Sequence, residues 1–179
     1  MIDIMDTVPE AHQAIIIMVG NIGTGKSTAT DLLLSEYTGI QIIAVSNDSI
    51  TMMTGNGDYS RYRPMLSDMY KDMFFKCVCA GVDAGATVVC DNSHMTKRSR
   101  AKLIKIAKDA GISVSCINLG PGSPESLKRR QEAKDGRGNT KAVWNIVHQR
   151  FSSQYEEPSV DEGFDIVLTG DELRKVIDG

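Results

Sequence analysis

The chain has 179 residues, 41% of them hydrophobic and 24% charged, which suits one folded domain with one core and excludes a disordered chain. Its longest apolar run, Ala14 to Val19, is strand-sized, and the acidic opening Met1-Ile2-Asp3-Ile4-Met5-Asp6 lacks a basic-then-apolar layout. Neither a membrane span nor a leader is expected, and the cytoplasm is the expected compartment (the host's, if the source is viral). The formal net charge is −3, yet residues 97–141 hold twelve Lys or Arg against four Asp or Glu, a local +8 that leaves −11 for the rest.

The segment 14–19 is a continuous β-branched run, as a buried parallel strand requires. A glycine loop follows, then a helix over 27–37 carrying Leu32, Leu33 and Leu34. A second strand over 41–45 ends at the polar Ser46-Asn47-Asp48, and 55–60 reads as a loop. Pro64 opens a long helix running to about residue 85. Met65, Met69 and Met73, four apart, read as one packed face of it. A third strand over 87–90 leads into Asp91-Asn92-Ser93, a helix over 96–110 is closed by Gly111, and a fourth strand covers 113–119. Pro124 opens a helix to Arg130, the glycine-rich 135–139 is an excursion, and 143–154 is helical. A strand over 165–168 and a helix over 171–177 complete the chain. Strands alternating with helices predict an α/β fold: a mostly parallel, doubly wound sheet of about five strands flanked by helices, over a single domain 1–179, with a short lid at about 131–141.

Gly20-Asn21-Ile22-Gly23-Thr24-Gly25-Lys26-Ser27, followed by Thr28, has the spacing of a phosphate-cradling P-loop and lies between a buried strand and a helix. The glycines let backbone N–H groups wrap phosphates, Lys26 reaches the β- and γ-phosphates, and the Ser27 hydroxyl ligates Mg²⁺. This predicts binding of ATP with Mg²⁺. Asp48, just past the second strand, can accept the proton of an attacking hydroxyl, with a helix cap as its bland alternative. Asp91, at the end of the third strand, suits a carboxylate on a Mg²⁺-bound water or one that orients the acceptor; a structural turn residue is the alternative. Arg137 lies in a glycine-flanked loop that can close over the transferring phosphoryl group, and Arg129 and Arg130 can do the same or clamp acceptor phosphate. His94, Lys97, Arg98 and Arg100 follow the Asp91 turn at the cleft mouth; Asn92 is a candidate for holding the acceptor, and Arg98 and Arg100 for its phosphate.

Lys102, Lys105 and Lys108 read as a solvated helix face, Trp144 as core, and His12 and His148 as structural. Tyr59, Arg61, Tyr62 and Arg63 interleave aromatic and basic residues, which suits either base stacking or an ordinary surface loop. Cys77, Cys79, Cys90 and Cys116 lack Cys-x-x-Cys spacing and read as free core thiols.

From Ile15 to about Gln154 the chain resembles the 5′-kinase domain of phage-type polynucleotide kinases, among the small P-loop kinases. The likeness rests on Gly-x-x-Gly-x-Gly-Lys-Ser-Thr, on Asn47-Asp48, on Asp91-Asn92-Ser93, and on Arg129-Arg130 followed by Arg137-Gly138-Asn139-Thr140-Lys141-Ala142-Val143. It implies Asp48 as general base, Lys26 and Ser27 on phosphate and metal, Arg137 as a lid arginine and Asp91 supporting the acceptor site. Two features depart from the pattern. Thr51 stands where the family often carries an arginine for acceptor phosphate, and the stretch between Arg130 and Arg137 is longer than usual. The expected activity is transfer of the γ-phosphate of ATP to a nucleic-acid hydroxyl, DNA or RNA, most readily a 5′ end. The alternatives are a hydroxymethyl group on a modified base in DNA, a nucleoside, nucleotide or sugar acceptor, and a non-catalytic NTP switch.

Overall fold

A computed structural model of the chain describes residues 13–37, 40–133 and 139–177. Five parallel strands, β1 Ala14–Val19, β2 Ile42–Val45, β3 Thr87–Cys90, β4 Ser113–Asn118 and β5 Ile166–Thr169, form one sheet in the order β2-β3-β1-β4-β5. Among the described residues, seven helices flank it: α1 Lys26–Glu36, α2 Asn47–Thr54, α3 Ser67–Asp83, α4 Lys97–Ala110, α5 Pro124–Glu132, α6 Lys141–Gln154 and α7 Gly170–Ile177. The alternation read from the sequence thus produces the doubly wound parallel sheet it predicts.

The apolar run of β1 takes the central position, and all six of its residues are buried. Its side chains alternate between two cores, as a strand covered on both faces must. Ile15, Ile17 and Val19 join Phe74 and Val78 of α3 and Leu103, Ile104 and Ala107 of α4. Ile16 and Met18 join Ala29 and Leu33 of α1 and Leu173 of α7. Each fully buried aliphatic side chain contributes about 1.5–3 kcal/mol of transfer free energy. Helix α1, leaving β1, therefore packs on one face of the sheet, and α4, leaving the adjacent β3, packs on the other. Neighbouring strands whose chains depart to opposite faces leave a crevice at their carboxyl ends, where α/β folds bind ligands.

Pro64, two of the methionines and Cys79 depart from expectation, and one further helix appears. The segment 47–54 is a helix, α2, capped by the Ser46 side chain, which accepts from the Ser49 N–H. Pro64 heads a separate 3₁₀ turn, Pro64–Leu66, and α3 starts only at Ser67. Met65 therefore lies off the α3 stripe and is 87% exposed, Met69 is also exposed, and of the three methionines only Met73 packs on the core. Among the cysteines, Cys90 and Cys116 are buried in strands, whereas Cys79 is exposed on α3.

Candidate active site

The end of β1 turns into the P-loop, and the loop is held from three sides. Gly20 N–H donates to the Ser93 carbonyl (3.0 Å) and Asn21 N–H to the Gly120 carbonyl (3.1 Å), tying the loop to the exits of β3 and β4. Gly23 has φ 71°, and a Cβ there would lie 2.0 Å from the Ser126 carbonyl oxygen of α5, so only glycine fits. Gly25 (φ 99°) is the N-cap of α1, and no acidic residue stands in that helix's first turn. The positive end of the α1 dipole is thus left for an anion.

Asn21, expected to touch nucleotide, has its side chain fully buried behind the loop. Its Nδ2 donates to the carbonyls of Pro121 (2.7 Å) and His148 (2.9 Å) and to Ser152 Oγ (2.9 Å). This amide straps the P-loop to α6; only its backbone belongs to the cradle. Lys26 Nζ donates to the Asn21 carbonyl (2.8 Å), and Thr24 Oγ1 donates to the same oxygen (2.8 Å).

A cleft of about 1190 Å³ opens in front of the loop, with Ile22, Gly23, Gly25, Lys26, Ser27 and Thr28 along one wall. Asp48 and Asp91 both line it. Asp91 extends β3 by donating its N–H to the Val45 carbonyl (2.9 Å), and its side chain hydrogen-bonds Ser27. Burial raises its carboxyl above the usual carboxylate range, while the Ser27 hydrogen bond and the Lys26 charge pull it down. This places Asp91 on the cradle side of the cleft. Asp48 sits in the first turn of α2; the capping is done by Ser46, so its carboxylate is not spent there. Tyr59 OH donates to Asp48 Oδ1 at 3.0 Å. Asn92 Oδ1 accepts from the Asn47 N–H (2.9 Å), which fixes the start of α2 against the exit of β3.

The basic candidates separate. Arg98, Arg129 and Arg130 line the cleft. Arg129 donates through Nε and Nη2 to the Gly23 carbonyl (3.2 and 3.0 Å), and the Arg130 guanidinium lies 4.2 Å from the Trp144 ring centroid. Arg100 is a correction. It is fully buried, grips Glu162 through Nε and Nη2 (2.8 and 2.7 Å), and caps the His94 carbonyl with Nη1 (3.0 Å). It belongs to the core and offers nothing to an acceptor. Arg137 and the middle of the lid, residues 134–138, lie outside the described residues. On either side of that segment, Gln131 Nε2 donates to Asn145 Oδ1 (2.7 Å), joining α5 to α6.

The sequence reading missed two lysines of the cleft, and it placed His94 at the cleft mouth without giving it a role. Lys71 and Lys102 line the cleft, the latter having been taken for a solvated face. His94 lines it too, buried at φ 40°, with Nε2 lacking a hydrogen-bond partner. Burial, with the Arg100 and Lys26 charges behind it, pushes its pKa down to about 3, so the ring is neutral. Thr51 turns inward: it is 2% exposed and its Oγ1 donates to the Asn47 carbonyl (2.8 Å).

Among the described residues no three His, Cys, Asp or Glu side chains converge as a metal cage. Ser27 and Asp91, a hydroxyl and a carboxylate hydrogen-bonded to each other, offer oxygen donors that would suit a hard cation keeping several waters.

Residues 15–158 match the AAA domain family. The chain belongs to that family. The polynucleotide kinase-like character drawn from its motifs accords with the bifunctional polynucleotide phosphatase/kinase of Schizosaccharomyces pombe, 28% identical over 156 residues. That match covers 86% of this chain and 32% of the relative, so the chain spans about a third of the relative's length. The fold is shared with a fungal RNA kinase (TM-score 0.57, 20% identity, 93% of this chain and 84% of that one). It is shared also with the APS kinase of Mycobacterium tuberculosis in complex with AMPPNP and APS (TM-score 0.63, 16% identity, 93% and 96%). The fold is that of a P-loop kinase.

Proposed function

We propose that this protein transfers the γ-phosphate of ATP to a 5′-hydroxyl of a nucleic acid. The observation that carries the reading is the placing of Asp48, uncapped and held by Tyr59, in the same cleft as Lys26, Ser27 and Asp91. In the reaction the acceptor oxygen attacks the γ-phosphorus, the bond from that phosphorus to the β-bridging oxygen breaks, and ADP leaves. Asp48 takes the hydroxyl proton. Lys26 leaves the Asn21 carbonyl for the β- and γ-phosphates, and the α1 N-terminus faces the same charge. Ser27 and Asp91 would hold Mg²⁺, which, when bound, neutralises charge on the phosphates. Arg129, already at the loop, is a guanidinium placed for this task, and the sequence offers Arg137 for the same role. Two similar proteins support nucleic acid as the class of acceptor: the Schizosaccharomyces pombe relative is named for polynucleotides and the fungal structure for RNA. AMPPNP bound to the APS kinase of the same fold supports ATP as donor.

One observation favours a second acceptor, a hydroxymethyl group on a base within DNA. With Thr51 turned inward, no side chain at that position reaches the acceptor phosphate of a strand end. The two readings separate in one assay: γ-labelled ATP with 5′-hydroxyl DNA and RNA strands, hydroxymethyl-base duplexes, nucleosides, and no acceptor. Label on the 5′-hydroxyl strands is the expected result. Label only on hydroxymethyl duplex, only on nucleosides, or on nothing would overturn the first reading.

A further inference from the structure

Beyond Asp48 the cleft continues between α3 and α4. Lys71, Phe74 and Phe75 come from α3, and Arg98 and Lys102, one helical turn apart, come from α4. Lys102 Nζ lies 3.6 Å from the Phe75 ring centroid. Among the described residues, the only carboxylates lining the cleft are Asp48, in the first turn of α2, and Asp91, at the exit of β3, and neither belongs to α3 or α4. Lys71 shares a 3.2 Å ion pair with Asp68, but both partners are mostly exposed, and such a pair yields to a phosphate at little cost.

We propose that this arm is a subsite for single-stranded nucleic acid, deepening the kinase reading on which it rests. The nucleobase beside the reacting end stacks on Phe75, and the phosphates that follow lie among Lys71, Arg98 and Lys102. The physical basis is the combination of a half-buried ring, fixed from behind by the core, with exposed cations on both walls. An aromatic platform binds any base by its π-face, and a flanking basic groove follows the backbone. Lys102 covers the ring through a flexible stem; when a strand enters, its ammonium moves to a phosphate and the base takes its place. A stacking platform needs a base with a free face, which a single strand presents and a paired duplex does not. Arg98 and Lys102 thus supply the acceptor charge that the inward Thr51 does not.

The test is fluorescence anisotropy of the full chain with 3′-labelled eight-nucleotide 5′-hydroxyl strands, DNA and RNA, at several salt concentrations. Phe75→Leu should weaken binding about tenfold with an unchanged salt slope, because it removes stacking and no charge. Lys102→Gln, on the surface and safe for folding, should weaken binding and lower the slope of log K against log salt by about 0.7, one phosphate contact on a single strand. A blunt duplex of the same sequence should bind more weakly than the strand. Binding unchanged in both variants, a duplex bound as tightly as a strand, or no binding at all would each overturn the subsite. Phosphorylation of the same strands is read separately. Strands held through Phe75 and Lys102 yet never phosphorylated would keep the subsite and refute the kinase reading; phosphorylation with both variants binding like wild type would do the reverse.

Discussion

Lys26 donates to a carbonyl of its own loop, so its ammonium is held within the cradle and has only to exchange that oxygen for phosphate. Lys26→Ala removes the one loop cation aimed at the β- and γ-phosphates, and kcat should fall by at least about 10²-fold, the loss typical of one transition-state electrostatic contact. A steady-state assay at saturating ATP checks this. Gly23 is constrained for a different reason. Gly23→Ala would drive a Cβ to 2.0 Å from the Ser126 carbonyl while holding a left-handed φ, so α5 must back away from the loop. The strain of about 1–3 kcal/mol should appear as a lower melting temperature together with weaker ATP binding, read by thermal melts with and without nucleotide. These positions were legible as a motif because their chemistry is local to eight consecutive residues. Asn21 was not: nothing in the loop's own sequence says that its amide turns backward to the carbonyls of Pro121 and His148, 100 and 127 residues ahead.

At the scale of elements, α4 shows where sequence reading succeeds and where it stops. Its limits were legible because Thr96 and Ser99 form a capping box at one end and Gly111 closes the other. Its basic residues were read as an acceptor pair, Arg98 and Arg100, and a solvated face, Lys102, Lys105 and Lys108, yet they divide otherwise by phase. Arg100, Leu103, Ile104 and Ala107 follow the i, i+3, i+4, i+7 spacing of a buried stripe, and that spacing was the available sign that Arg100 points inward. Arg98 and Lys102 lie on another face, against α3, a neighbour that no local pattern identifies. Helix α2 was missed because eight polar and mixed residues, 47–54, give too short a window for periodicity and resemble turn chemistry. The Arg100–Glu162 pair is buried, with side-chain exposures of 0% and 8%, and ties α4 to the segment before β5. Glu162→Gln leaves a cation without its counter-charge in the core and should cost about 3–5 kcal/mol in urea unfolding. Replacing both residues together with apolar side chains should cost less than that single change.

At the scale of the whole molecule, the sheet order brings the ends of β1, β2 and β3 side by side, and so joins a loop at residue 20, a carboxylate at 48 and another at 91 into one cleft. That convergence was legible from the alternation of strands and helices, since parallel strands must end at the same edge. The same burial that closes the cleft floor makes stability depend on pH. His94 has a folded pKa of about 3, below the ordinary value of 6.5, so between these limits the unfolded chain takes up a proton that the folded one refuses. Its contribution is whole above about pH 6.5 and is lost as the pH falls toward 3, with a slope of up to about 1.4 kcal/mol per pH unit. In His94→Asn this part of the slope should vanish, which urea melts between pH 7 and pH 4, about the range where the ring titrates, would show. The central claim is that the cleft is assembled for phosphoryl transfer with Asp48 as the base, and Asp48→Asn tests it most directly. The amide keeps the Tyr59 contact but cannot accept the proton, so kcat should fall by about 10²-fold or more. The Kd for ATP, measured on the same protein by calorimetry, should stay within about threefold of wild type, since Asp48 lies across the cleft from the phosphates. An ATP affinity that falls as far as the rate, or a rate that does not fall, would contradict the account.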